Sequence, residues 1–177
     1  MDWKSKYYLY YKILQFAQEN GIGVNTDLEN FCSQMGWYLI PYPKDNLAVA
    51  MSISKDGFTI KDGNNFFIMY NPYLKKDCFE RFRFTIAHEI GHIYLYHHIF
   101  VNNNILMHGT NKNSIWEQQA DIFAQNFLLP LKYKKFYIEN NLYEICKSFC
   151  VSKKMAITRI NKMYEDELFI RKLNIKF

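Results

Sequence analysis

The run His88-Glu89-Ile90-Gly91-His92 sits inside the most apolar part of the chain, the stretch from Ile86 to Val101. Two histidines four residues apart face the same way only on an α-helix, one turn above the other. The run therefore demands a helix, and the apolar pattern around it extends that helix from about Cys78 to Tyr96. With His88, Glu89, His92, His97 and His98 inside it, the stretch is too polar and too short to span a bilayer. A mid-helix glycine costs roughly 0.5–1 kcal/mol relative to alanine. Gly91 thus implies a reason in packing or function, and with Ala87 it forms a small-residue strip that another element can approach closely.

Two imidazoles on one helix face can share a zinc ion, and Glu89, the next residue round, points to the open side of that metal. There it can take a proton from a metal-bound water and later pass it to a leaving amine. A catalytic zinc site uses three protein ligands and one open position, and two histidines with a glutamate are a standard set. Glu117 opens a helix 25 residues after His92, far enough for the chain to turn back. Asp121, one turn further on the same face, can accept the spare ring N–H of a ligand histidine. Ala120 and Ala124 provide that helix with its own small face. A second reading of Glu117 stays open: Ser114-x-x-Glu117 is a capping box, in which the carboxylate only satisfies a backbone N–H.

Other polar residues near the motif carry weaker signals. Extending the helix at 100° per residue puts His97 opposite the metal face, so it reads as a helix-end or core histidine and not as a ligand. His98 and His108 lie at or inside an Asn-rich segment, His97–Asn113, and either can donate to the oxyanion of a tetrahedral intermediate. Tyr94 and Tyr96 can do the same, but aromatic helix positions usually face a core. Arg83, just before the motif, is a candidate substrate contact or a structural arginine.

Elsewhere the pattern predicts helices over 5–20 and 27–35, the second with Thr26-x-x-Glu29 as its capping box and Gly36 as its stop. Strands are expected at Trp37–Tyr42, Leu47–Ile53 and Phe58–Ile60. A turn over Lys61–Asn65 then leads into Phe66–Tyr70. A helix from Ser114 to Leu129 stops at Pro130, and two or three short helices follow. No internal repeat or linker interrupts the 177 residues.

Composition excludes several classes. Half of the chain is apolar and 18% aromatic, enough for a core without staples. The four cysteines, Cys32, Cys78, Cys146 and Cys150, lack the C-x-x-C spacing of zinc ribbons or redox sites. No secretory leader opens the sequence, so reduced thiols in the cytoplasm are expected. The net charge of +5 is concentrated after residue 130 and reads as a solvated basic face. Residues 144–160 have the rhythm of a helix-turn-helix, but the turn lacks the usual glycine and few basic residues are available. Buttressing helices are favoured there, and direct DNA binding is not expected.

The blocks Arg83-Phe84-Thr85-Ile86-Ala87-His88-Glu89-Ile90-Gly91-His92, with His97 a few residues on, Glu117-x-x-Ala120-Asp121-x-Phe123-Ala124 and Leu128-Leu129-Pro130 resemble the ImmA/IrrE family of metallo-endopeptidases over roughly residues 24–165. One position departs: Asp121 stands where that family often has Asn. The substitution resembles the Glu-x-x-x-Asp arrangement of thermolysin-like gluzincins and leaves the metal site intact. The strand pattern gives a small, mostly antiparallel sheet in an α+β chain, and the resemblance implies a zincin-like domain whose sheet edge holds an extended peptide beside the metal. The expected division is a catalytic domain over 1–130 and a helical C-terminal extension over 131–177. The expected cofactor is one zinc ion on His88, His92 and Glu117, with Glu89 as general base and acid. The partner implied is a helix-turn-helix repressor of the phage or mobile-element type, cleaved by the enzyme. The rival is a metal-binding regulatory module that inactivates a repressor without cutting it.

Overall fold

The computed structural model describes residues 1–100, 105–106 and 115–172. In chain order these form α1 (Trp3–Glu19), α2 (Leu28–Gln34), β1 (Tyr38–Pro41), α3 (Leu47–Ile53), β2 (Gly57–Asp62), β3 (Asn65–Tyr70), α4 (Pro72–Asp77) and α5 (Phe79–Tyr94). After them come β4 (Ile105–Leu106), α6 (Ile115–Leu128), α7 (Lys134–Glu139), α8 (Leu142–Phe149) and α9 (Lys153–Lys172). The class is α+β. Two compact units divide the chain, Asp27–Asp121 and a second made of Met1–Thr26 with Ile122–Phe177.

The first unit is built on a sheet of order β1-β3-β2-β4. β2 and β3 form the expected hairpin around Gly63, whose φ of +56° suits the tight two-residue turn between Asp62 and Asn65. β4 pairs antiparallel with β2, but β1 runs parallel to β3. The sheet is therefore mixed, with two of its three pairings antiparallel, in keeping with the expected small, mostly antiparallel sheet. One element differs from expectation: Leu47–Ile53, expected as a strand, is helix α3. Its Leu-Ala-Val-Ala-Met run has helix formers at most positions, and a short apolar run does not declare its period. A longer crossover of this kind is what parallel pairing requires.

Side chains alternate along β2, so its residues divide between two layers. Phe58 joins Tyr42 and Ala50 in a cluster covered by Leu47, Ile53, Ile60 and Met69. Gly57 and Thr59 face α5, as does Tyr70, whose ring meets Phe82 at 5.1 Å. A Cβ at Gly57 would lie 2.6 Å from Cγ2 of Thr85 and 3.0 Å from the Met69 carbonyl oxygen. The missing side chain is what lets α5 settle this close to the sheet. At α2 the cap differs from expectation: Asp27, not Thr26, accepts from the backbone N–H groups of Glu29 and Asn30. Thr26 instead hydrogen-bonds back to Gly23, a local competition typical of its short side chain.

In the second unit α1 buries Leu9, Tyr10, Ile13 and Phe16, and Phe16 packs edge-on against Phe123 and Phe127. Cys150, in the left-handed region with φ +51°, ends α8 before α9 begins. Arg159 of α9 is 1% exposed and donates to Asp166, to Asn126 and to the Leu129 carbonyl. Met155, Ala156 and Met163 are buried on the same helix. No helix among the described residues is long and apolar enough to cross a membrane.

Candidate metal centre

α5 carries His88 and His92 one turn apart, and the first turn of α6 brings Glu117 to them. All three belong to the first unit. Oε2 of Glu117 lies 3.3 Å from Nε2 of His88, and Oε1 lies 3.3 Å from Nε2 of His92. The two Nε2 atoms are 3.0 Å apart. One ligand atom from each residue falls within 4.8 Å of the others, so the group can hold a metal ion. Donors about 2.0–2.1 Å from a tetrahedral zinc stand about 3.3–3.4 Å from one another, which this triangle nearly matches. The donor set, two imidazoles and a carboxylate, is that of a catalytic zinc site. A Glu117 serving only as a helix cap would have no reason to divide its oxygens between two histidines. Ser114, the other half of that capping box, lies outside the described residues.

The far side of each imidazole is also occupied. Nδ1 of His88 is 2.9 Å from Oδ1 of Asp121, one turn along α6 from Glu117. Nδ1 of His92 is 2.9 Å from Nδ1 of His97, and Nε2 of His97 is 3.0 Å from Oε1 of Gln119. Burial pushes His92 below its ordinary pKa against the opposing hydrogen bond to the Glu117 carboxylate. Burial, reinforced by neighbouring His92, pushes His97 down to about 3. Both rings are neutral at physiological pH, and neutral imidazole is the form that binds a metal.

The helix periodicity placed His97 away from the metal face, whereas it sits against His92. The reason is local. α5 ends at Tyr94, and Tyr96 adopts a left-handed φ of +60° that turns the chain back on itself. His97 then packs in the core, 2% exposed, stacked on Trp116 at 6.2 Å. Extrapolating the helix past its end hid this contact.

Glu89 is fully buried, and its Oε2 accepts a 2.8 Å hydrogen bond from the Thr59 hydroxyl on β2. Thr59 is a site residue that sequence reasoning missed. Its only signal was a polar residue on the otherwise apolar inner face of the hairpin. Arg83 is buried on α5, 4% exposed. His98 is half-buried with its ring 5.0 Å from that of Phe66, and it stands outside the metal-binding group. Burial, with a smaller push from Lys61, lowers its pKa. His108 lies outside the described residues.

A family model described as Peptidase_M78, IrrE N-terminal-like domain, matches residues 48–161, from α3 into α9 and so across every residue of this centre. No curated protein matches the chain.

Proposed function

The chain belongs to the IrrE N-terminal-like peptidase family, and on that premise we propose that it is a zinc-dependent endopeptidase with His88, His92 and Glu117 as metal ligands and Glu89 as general base and acid. The observation that carries this reading is the convergence of three donor side chains within 4.8 Å of one another, beside a buried carboxylate. Zinc bound there would act as a Lewis acid and bring a bound water to a pKa of about 7. Glu89 accepts the proton of the attacking water and returns it to the leaving amine. Thr59 holds Glu89 at Oε2 during both transfers. Asp121 accepts the Nδ1–H of His88, which leaves Nε2 of that ring as a lone-pair donor. Resemblance to the ImmA/IrrE proteins supports a helix-turn-helix repressor as the substrate.

Glu89→Gln tests the reaction. Zinc content is expected to stay near one per chain while cleavage of the cognate repressor disappears. Undiminished cleavage would remove Glu89 from the mechanism. Equal inactivation of the repressor by both proteins, with no fragments formed, would replace proteolysis by binding.

A further inference from the structure

His88 and His92 have unlike supports. The Nδ1 of His88 meets a carboxylate, Asp121, whose side chain is 52% exposed. The Nδ1 of His92 meets His97, which is 2% exposed and covered by Trp116. A carboxylate in that second position would lose its hydration in the core. A neutral imidazole can accept the same hydrogen bond without that penalty.

The direction of each hydrogen bond follows from its far end. Oε1 of Gln119 only accepts, so Nε2 of His97, 3.0 Å away, must carry the proton. Neutral His97 then has a bare Nδ1, which can only accept, 2.9 Å from Nδ1 of His92. His92 must place its own proton on Nδ1, which leaves Nε2 as a lone pair directed at Glu117 and His88. The opposite assignment would set the bare Nε2 of His97 against the Gln119 carbonyl, two acceptors facing each other.

We propose that His97 and Gln119 are positioning residues, a neutral relay that selects the metal-binding tautomer of His92 from its buried side. The relay does for His92 what Asp121 does for His88, without adding charge to the dry half of the centre. This inference rests on the metal-centre reading above and not on the identity of the substrate.

Long-range ¹H–¹⁵N spectra of the histidine rings and zinc affinity by chelator competition test it together. In the zinc-loaded protein, His97 is expected as the Nε2–H tautomer and His92 as the Nδ1–H form. His97→Phe keeps the ring against Trp116 and removes the acceptor, so zinc affinity should fall about 10- to 100-fold. His97→Gln restores an accepting oxygen and should recover most of that loss. Gln119→Leu should release His97 to populate both tautomers. His97 protonated on Nδ1, or His97→Phe folded with unchanged zinc affinity, would overturn the proposal. Should His97→Phe fail to fold, the wild-type tautomers and Gln119→Leu still decide it. A wild type that takes up no metal overturns this inference along with the metal centre. Tight zinc binding that depends on His97, with no cleavage of any substrate, supports the relay and overturns only the endopeptidase reading.

Discussion

The Thr59 hydroxyl donates to Oε2 of Glu89 across 30 residues of sequence, and both side chains are completely buried. A hydrogen bond to a charged group is worth about 1.5–3 kcal/mol. Thr59→Val keeps the shape and deletes the donor, so kcat is expected to fall roughly 10- to 100-fold with zinc content unchanged. Thr59→Ser should recover most of the rate. Steady-state cleavage with metal analysis on the same samples reads both, and an unchanged kcat in Thr59→Val would show that Glu89 needs no such anchor.

Glu117 offers one oxygen to each metal-facing imidazole. Glutamine can serve a helix cap but is a poor zinc ligand. Glu117→Gln is therefore expected to keep its circular dichroism and melting cooperativity while losing zinc on dialysis. Retention of one zinc per chain would take Glu117 out of the ligand set.

Gly57 lets β2 and α5 approach, because a methyl group there would meet Thr85 and the Met69 carbonyl. Backbone cannot yield as a flexible side chain can. Gly57→Ala is expected to destabilise the fold by about 1–3 kcal/mol, visible as a lowered Tm. The same methyl would stand 4.0 Å from Cγ of Glu89, so activity should fall along with stability.

Arg159 and Asp166 form a buried pair at 2.7 Å, with side chains 1% and 8% exposed. Removing one partner strands the other charge, at about 3–5 kcal/mol. Arg159→Met should shift the urea midpoint strongly, whereas the double variant with Asp166→Leu should regain part of the loss. If Arg159→Met instead left stability untouched, the network would not be what holds α9 in its unit.

How much of this was legible beforehand follows from the range of each signal. The 3.6-residue period of α5 is written in consecutive residues, so the shared face of His88 and His92 needed no fold to be seen. The hairpin was legible too, because Asp62-Gly63-Asn64 specifies its own turn. Leu47–Ile53 was misread because a short run with six apolar residues satisfies either period, and packing of Ala50 with Tyr42 and Phe58 distinguishes them.

By itself, then, the sequence determined the chemistry available: two imidazoles, a neighbouring carboxylate, and a second block with Glu117 and Asp121 in matching phase. These are local facts of helical geometry, and no distant contact is needed to establish them. Tertiary structure alone decided what surrounds them. The parallel pairing of β1, the reach of Thr59 to Glu89 and the grouping of α1 with the C-terminal helices all join residues far apart in the chain. The contact of His97 with His92 spans only five residues, yet it depended on one left-handed backbone at Tyr96. A periodic reading assumes the helix continues, and the site takes its buried support from the place where the helix stops.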